Sequence, residues 1–279
     1  MTHPRRSVLA LALATALALG AITGIACTAG PPTDHPAEAP PNPESDAVAM
    51  PFVLRGNTGG YAESADDLLA QVRAAAAAAE DLPAVYDSGV FRGNPYLEKL
   101  PFGRDAVIAD IGAGTGALEV EILSADRPFR RLYAVDIDPK ATAFVEKLLA
   151  SYFPRAAEKI TVVTSSVSDV RLPEGAVDLA VMVNAHFYVP RFMGDENARA
   201  AADACLASLR RAMKADGRVH VFQSFYISRE EAANLPDGAD NFRRDELAGI
   251  REVFERAGFT AEAADVDRGC NCYRFVLAP

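Results

Sequence analysis

Three glycines alternate with small residues directly after a short apolar run, in the stretch VIADIGAGTGAL at residues 107–118. Gly112, Gly114 and Gly116 let backbone N–H groups approach a ligand, because no side chain stands in the way. An apolar strand that leads through such a loop into a helix brings a helix N-terminus to the same place. Asp110 adds a carboxylate two positions before the first glycine. The stretch therefore predicts a ligand-binding loop with a negative charge beside it.

Two classes of cofactor fit this glycine spacing. Gly112, Gly114 and Ala117 satisfy G-x-G-x-x-G/A, the pattern of dinucleotide-binding loops. With Gly116 in place of Ala117, the stretch also satisfies the tighter pattern G-x-G-x-G. The charge of Asp110 separates the two classes, because it would repel a pyrophosphate and attract an ammonium group. S-adenosylmethionine carries an α-amino group and a sulfonium but no phosphate, so electrostatics favours it over a nicotinamide dinucleotide.

The elements that position this loop alternate between apolar strands and helices. Strands are predicted at 106–110, 132–136, 160–164, 177–183, 218–222, 259–266 and 272–277. Helices are predicted at 64–80, after Gly116, from Asp138-Pro139 onward, at 197–214 and at 245–257. This order predicts an α/β fold with a doubly wound, seven-stranded, mostly parallel sheet and helices on both faces. Ligands of such sheets bind at the carboxyl ends of the strands.

The overall charge argues against a nucleic-acid partner. The formal net charge of the chain is −10, whereas phosphate binding needs clustered Lys and Arg. Basic pairs such as Arg130-Arg131 stand alone and are interpreted as solvated surface. A small-molecule substrate is therefore expected, and the oligomeric state is left open.

The first 27 residues have the layout of a bacterial export signal. Arg5 and Arg6 precede an apolar stretch at 8–26, and small residues lead to Cys27. The string TGIAC resembles a lipoprotein signal, in which the cysteine is lipidated; an uncleaved membrane anchor is the alternative. Either form places the rest of the chain outside the cytoplasm, in the cell envelope or periplasm, with membrane contact through the N-terminus only.

The next segment is predicted to be a disordered tether. Residues 28–50 contain six prolines, four acids and no aromatic residue, so they cannot bury a core. Residues 51–104 are predicted to form a helical cap segment before a larger domain at 105–279. No metal site is predicted, because Cys270-Asn271-Cys272 has no nearby histidine. Cys205 lies in an alanine-rich helical stretch and is predicted to be a small buried residue.

The glycine stretch resembles the first motif of the class I S-adenosylmethionine-dependent methyltransferases. RLYAVDIDPKA places Asp136 at the end of the second strand, where a carboxylate can accept hydrogen bonds from ribose hydroxyls. SSVSDVRLPEGAVDLAVMVNAH and LRRAMKADGRVHVF resemble later segments of the same family in the same order. The resemblance covers roughly residues 83–279. It implies a Rossmann-like fold with two antiparallel closing strands and S-adenosylmethionine as the cofactor.

The resemblance also implies a set of cofactor-binding residues at the strand ends. They are Asp110, Gly112, Ala113, Gly114, Gly116, Asp136, Ile137, Ser166, Val167, Asp169 and Asn184. Many relatives have an acidic residue after the third strand, near the adenine amino group, where this chain has Ser166. Two arrangements are left open: Asp169 replaces that acid, or Ser166, Val167 and backbone groups hold the adenine.

The acceptor side of the site is predicted from the loops after the fourth and fifth strands. His186 lies at the expected mouth of the cleft and is a candidate general base for a hydroxyl or thiol. Its alternative role is to orient the loop or pack against Tyr188. Phe187 and Tyr188, with Phe225 and Tyr226, are predicted to line an apolar acceptor pocket, and core packing is the alternative for them.

These observations predict a methyltransferase that acts on a small molecule, with an O, N, S or C atom as the acceptor. Residues 184–188 lack the Asn/Asp-Pro-Pro-aromatic signature typical of amide or nucleobase N-methyltransferases. Two other functions compete with this prediction. One is an exported, non-catalytic binding protein that keeps the fold, and the other is an NAD-dependent oxidoreductase.

Overall fold

The computed structural model describes residues 65–79, 100–190, 193–224, 239–267 and 272–279. The predicted signal at 1–27, the tether at 28–50 and most of the segment at 51–104 lie outside these ranges. Every described residue belongs to one compact unit, Ala47–Pro279. Among the described residues, no helix has the length and apolar character needed to cross a membrane.

The sheet of the described chain contains seven strands. They are β1 (Val107–Ile111), β2 (Arg131–Asp136), β3 (Ile160–Thr164), β4 (Val177–Val183), β5 (Met213–Ser224), β6 (Thr260–Asp267) and β7 (Cys272–Ala278). Their order across the sheet is β3-β2-β1-β4-β5-β7-β6. The first five strands pair in parallel, and β7 pairs antiparallel with both β5 and β6. The predicted doubly wound, mostly parallel sheet is confirmed.

Helices connect the parallel strands. They are α1 (Ala65–Ala79), α2 (Ala117–Ser124), α3 (Pro139–Tyr152), α4 (Pro154–Ala157), α5 (Glu196–Ala212) and α6 (Ala239–Arg256). The predicted start of α3 is confirmed: the Asp138 side chain accepts a hydrogen bond from Lys140 N–H, and Pro139 opens the helix. The single turn of α4 was not predicted, and α6 begins six residues before the predicted 245–257 helix.

The alternation of side chains along each strand produces two apolar layers. Ile108 and Leu179 face one layer, where they join buried residues of α1, α2 and α3. Their chain neighbours Ala109 and Ala180 face the other, where they join α5 and α6. A strand that is buried on both faces needs apolar residues at every position. β1 is such a continuous buried run, and Asp110 is the one residue in it that departs from the apolar pattern.

The fifth strand begins at Met213, earlier than the predicted strand at 218–222, and residues 214–217, which include Gly217, form a bulge within it. Its pairing with β4 jumps from Val177–Met213 to Leu179–Arg218. A Cβ atom at Gly217 would lie 2.9 Å from the Val177 carbonyl oxygen. Only glycine therefore allows the bulged backbone to lie this close to β4.

Parallel pairing brings the carboxyl ends of β1 to β5 to one edge of the sheet. Ile111 lies beside Val135, Asp136 beside Thr164, and Val183 beside Phe222. The loops that follow these strands are therefore neighbours, although they are far apart in the chain. This edge carries the candidate site.

Candidate cofactor site

The three glycines of the loop after β1 all adopt left-handed backbone conformations. Their φ values are +85° at Gly112, +53° at Gly114 and +78° at Gly116, a region that residues with a Cβ rarely occupy. Space is also tight at two of these glycines. A Cβ at Gly112 would lie 3.0 Å from the Ala185 Cβ, and one at Gly116 would lie 3.3 Å from side-chain carbons of α3. The loop thus passes close under the loop after β4.

Hydrogen bonds tie this loop to the end of β2. The N–H groups of Gly112 and Ala113 donate to the Val135 carbonyl oxygen at 2.8 and 3.0 Å. Gly114 N–H donates to Asp136 Oδ2 at 2.8 Å. Asp138 N–H donates to the other carboxylate oxygen of Asp136, Oδ1, at 2.9 Å. The Asp136 carboxylate is therefore held in one orientation beside the glycine loop.

Burial raises the pKa of Asp136, while the N–H groups of Asp138 and Gly114 lower it, and the net direction is upward. Each carboxylate oxygen has more than one acceptor site, so both can accept a further hydrogen bond from a ligand hydroxyl. The geometry suits a group that carries two adjacent hydroxyls.

Two acidic side chains are buried below the loop, at Asp110 and Glu119. Asp110 is 4% exposed and Glu119 is 0% exposed, and they are the charged residues among the buried side chains that the structure describes. Burial, together with the neighbouring carboxyls of Glu119 and Asp136, raises the pKa of Asp110 well above its usual value. Burial raises the pKa of Glu119 to about 7.

Sequence reasoning missed Glu119. It lies in the first turn of α2, where an acid is ordinarily explained by the positive end of the helix dipole. Its neighbours in the sequence could have indicated a buried position, because Leu118, Val120 and Ile122 are apolar and are all buried with it. An acid between apolar neighbours on a short helix that directly follows a glycine loop is a candidate site residue.

The loops after β2 and β3 expose apolar side chains at the same edge. Ile137 is 50% exposed and Val167 is 44% exposed, and these are the large hydrophobic residues that the described surface exposes. Exposed hydrophobic side chains next to a binding loop suit an apolar ligand face. Sequence analysis placed both residues in the cofactor site.

The residues after β3 form a tight turn. Ser166 N–H donates to the Asp169 carbonyl oxygen at 2.9 Å, so the two candidate adenine contacts lie side by side. The Asp169 carboxylate accepts a hydrogen bond from Arg171 N–H at 2.9 Å. Val170 N–H donates to the buried Ser208 hydroxyl of α5 at 2.9 Å, which anchors the turn.

The loop after β4 holds two non-glycine residues in left-handed conformations. Asn184 has a φ of +53° and His186 a φ of +48°, and such backbone strain clusters at functional sites. Asn184 N–H donates to the Phe222 carbonyl oxygen at 2.9 Å. His186 is exposed, and its Nδ1 lies 3.4 Å from the side-chain nitrogen of Gln223.

The four predicted acceptor-pocket residues have different surroundings. The Tyr188 side chain is fully buried, and its hydroxyl donates to Gln223 Oε1 at 3.0 Å. In this structure Tyr188 is thus a core residue, as its alternative interpretation holds. Phe187 is half-buried and makes an edge contact with the Tyr188 ring. Phe225 and Tyr226 lie outside the described residues.

One cysteine side chain lies among the residues that the structure describes, that of Cys205. Cys205 is a free, buried residue of α5, as predicted, and burial raises the pKa of its thiol to about 12. Cys270 and the Cys272 side chain lie outside what the structure describes.

The chain is similar to known methyltransferases in both sequence and structure. A family model described as a methyltransferase domain matches residues 108–217. A putative O-methyltransferase from Nostoc punctiforme is 15% identical, with a TM-score of 0.50 over 71% of this chain and 59% of its own. A SAM-dependent methyltransferase from Aquifex aeolicus is 16% identical, with a TM-score of 0.49 over 70% and 97% of the two chains. No curated protein sequence matches the chain.

The two kinds of match bear on different conclusions. At 15% identity the Nostoc structure bears on the fold alone, and it agrees with the α/β sheet described above. The family model covers the glycine loop, Asp136 and the loops after β3 and β4.

Replacing Glu119 with Gln is expected to change how stability depends on pH. An acid whose pKa is raised in the folded protein stabilises the fold below its unfolded pKa, and this stabilisation is lost as pH rises through the folded value. For Glu119 that window runs from 4.5 to about 7. The free energy of unfolding of the variant should therefore increase relative to that of wild type as pH rises across this window, in which Glu119 and Asp110 titrate together.

Urea unfolding at about pH 5 and about pH 8 measures this difference. Burial lowers the pKa of His220 to about 4, so this residue makes the free energy of unfolding rise with pH. The effect is the same in wild type and variant and cancels in the difference between them. Glu146→Gln, the same change at an exposed position of α3, is the control. A wild-type-to-variant difference that stays constant with pH would contradict the assignment.

Proposed function

We propose that this chain is a class I S-adenosylmethionine-dependent methyltransferase that transfers the methyl group of the cofactor to a small-molecule acceptor. The methyltransferase-domain match supports the enzyme class and the cofactor. The observation that carries the proposal is the hydrogen bond from Gly114 N–H to Asp136, which holds the carboxylate that we expect to bind the ribose next to the glycine loop. The net charge of −10 disfavours a nucleic-acid acceptor.

The residues at this edge fit the cofactor part by part. Asp136 would accept hydrogen bonds from the two ribose hydroxyls, in addition to those it accepts from Gly114 and Asp138. Asp110, a buried carboxyl whose charged neighbours are other acids, would compensate the α-ammonium group. Ile137 and Val167 would cover the two faces of the adenine ring.

The adenine edge and the methionine end have further candidates in the set predicted from sequence. Ser166 and Asp169 adjoin each other at the turn after β3, so both can reach one ring edge. Ala113 and Asn184 lie where the loops after β1 and β4 approach each other. A nicotinamide dinucleotide fits less well, because its pyrophosphate would lie beside Asp110, Glu119 and Asp136.

The chemistry of such a site is mainly positioning. S-adenosylmethionine, when bound, supplies an activated methyl group on its sulfonium. The chain therefore has to hold the acceptor atom in line with that group and exclude water, and a base is needed only for weakly acidic acceptors.

The surroundings of His186 favour a hydrogen-bond donor over the predicted general base. Tyr188 donates to the oxygen of the Gln223 side chain, so the amide nitrogen of Gln223 faces His186 Nδ1. An amide N–H can donate only to an unprotonated ring nitrogen, which leaves the proton of the neutral ring on Nε2. His186 would then present an N–H group to an acceptor oxygen and orient it.

Cofactor binding tests the site directly. Calorimetry is expected to detect binding of S-adenosylmethionine to wild type and no measurable binding to Asp136→Ala, because the ribose loses its partner and Gly114 loses its acceptor. Asp105→Ala, which removes an exposed acid before β1, is the matched control and should bind normally.

Transfer of a radiolabelled methyl group to the low-molecular-mass fraction of a cell extract tests the acceptor class. Unchanged affinity in Asp136→Ala would overturn the site, and label in protein or nucleic acid would overturn the acceptor class.

The proton position on His186 can be measured without knowing the acceptor. In a ¹⁵N-histidine-labelled sample above the pKa of the ring, two-bond ¹⁵N–¹H spectra should show the Nε2–H tautomer for His186. Gln223→Glu replaces the amide donor with an acceptor and should move the population toward Nδ1–H. A wild-type Nδ1–H tautomer would contradict the donor role and restore the general-base hypothesis.

We also propose that the chain is exported and lipid-anchored through Cys27, on the strength of the pattern at residues 1–27. Residues 1–50 fused to alkaline phosphatase should give active enzyme, which folds only in an oxidising compartment. Incorporation of labelled palmitate should occur with wild type and not with Cys27→Ala. An inactive fusion that accumulates in the cytoplasm would overturn the proposal.

A further inference from the structure

We propose that Asp110 and Glu119 form a carboxyl pair that holds one proton in the free enzyme and releases it when the α-ammonium group of the cofactor binds. The inference rests on the proposed cofactor site and adds Glu119 to it. Glu119 is a positioning residue in this proposal, because it acts on the cofactor through Asp110 and does not touch it.

The two carboxyls approach each other from different elements. Asp110 is the fourth residue of β1, and Glu119 is in the first turn of α2, with the glycine loop between them. The Glu119 side chain turns back under that loop: its Oε2 lies 3.6 Å from the position that a Cβ of Gly116 would occupy. A Cβ at Gly116 would therefore be in van der Waals contact with Glu119, while it would crowd the side chains of α3.

A shared proton supplies a hydrogen bond that is otherwise missing. Neither carboxylate oxygen of Glu119 has a hydrogen-bond partner among the described residues, although both oxygens are buried. Two ionised carboxylates cannot satisfy each other, because both are acceptors only. With one proton between them, an O–H group on one acid donates to the other, and only one negative charge is left to bury.

The charges that face the pair favour this protonated state. Asp110 faces Glu119 from β1, and Asp136 faces both from the end of β2. Burial is the largest cause for both acids and raises the pKa of each, and for Glu119 it outweighs the hydrogen bond from the Asp110 carboxyl, which lowers that pKa. Because the two acids titrate together, the relevant quantity is the proton affinity of the pair.

Binding of an ammonium group beside Asp110 changes this balance. The cation compensates a second negative charge, so the pair gives up its proton to solvent as the complex forms. By linkage, if the complex holds one proton fewer than the free enzyme, the affinity for the ligand rises with pH. The rise is up to tenfold per pH unit at pH values below the pKa at which the free pair loses its proton. The free enzyme thus avoids an uncompensated buried dianion, and the bound enzyme has the full charge for its cationic ligand.

Calorimetry with S-adenosylhomocysteine tests the proposal on the full folded domain. This ligand keeps the α-ammonium group but lacks the sulfonium, so the proton count reports on the ammonium alone. Binding heats in two buffers of different ionisation enthalpy, at several pH values from about 6 to about 8, give the number of protons released. We expect up to one proton released by wild type, with affinity that rises as pH rises.

Glu119→Gln separates the pair from other sources of protons. Its amide is a permanent donor to Asp110 and cannot titrate, so proton release and the pH slope of the affinity should both be lost. Glu146→Gln, the same change on the exposed face of α3, should behave as wild type.

The outcomes distinguish this inference from the function on which it rests. If wild type binds the ligand normally but releases no proton, the carboxyl-pair proposal is wrong and the proposed cofactor site is unaffected. This outcome is measured on wild type alone, so it does not depend on whether a variant folds. Proton release that persists unchanged in Glu119→Gln assigns the proton elsewhere and also overturns the pair. No binding of S-adenosylhomocysteine or S-adenosylmethionine at any pH overturns the cofactor site itself.

Discussion

Three carboxyl groups, those of Asp110, Glu119 and Asp136, lie together at the carboxyl edge of the sheet, and much of the local structure serves to hold them there. Buried negative charges repel one another and lose their hydration, so each needs compensation. Asp136 obtains it from the N–H groups of Gly114 and Asp138. The glycine loop is thus more than an open space for a ligand, because one of its own N–H groups fixes the carboxylate next door.

The parallel sheet makes this arrangement possible. Side chains of β1 alternate between two apolar layers, so a carboxyl near its end is buried whichever layer it faces. The left-handed glycines then turn the chain sharply, and α2 returns Glu119 beneath the loop. Tight turning explains how an acid nine positions later in the chain comes to influence Asp110.

Much of this could be predicted from the sequence, for identifiable reasons. Strands β3 and β4 begin and end where predicted, and for β4 the reason is that a strand covered on both faces is a nearly continuous apolar run. The start of α3 was predictable from Asp138-Pro139, a local signal that involves only neighbouring residues. The parallel order of β1 to β5 then brings the strand-end residues to one edge, which is why the candidate site could be located without coordinates.

The parts that were missed depend on contacts between distant residues. The bulge at Gly217 arises from its approach to the Val177 carbonyl, which no local pattern records. Tyr188, for which core packing was one of two alternatives, lies two positions after the exposed His186, and its ring packs against Phe254 of α6 while its hydroxyl donates to Gln223 of β5. Burial of a polar aromatic depends on such partners, and they become neighbours only when α6 and β5 have packed.

Glu119 is the most informative of the missed residues, because it breaks the rule that an acid near a helix start belongs in solvent. Proteins usually depart from such local rules where function requires it, and the cost is met by the stability of the rest of the fold. Here the cost is a buried carboxyl next to a second buried carboxyl, with which it can form a hydrogen bond only by sharing a proton. Packing alone does not explain an acid at position 119, since an apolar residue there would pack in the same layer with Leu118 and Ile122. A ligand with a positive charge would compensate the buried negative charge, and this is the physical reason to regard the acid pair as part of the binding site.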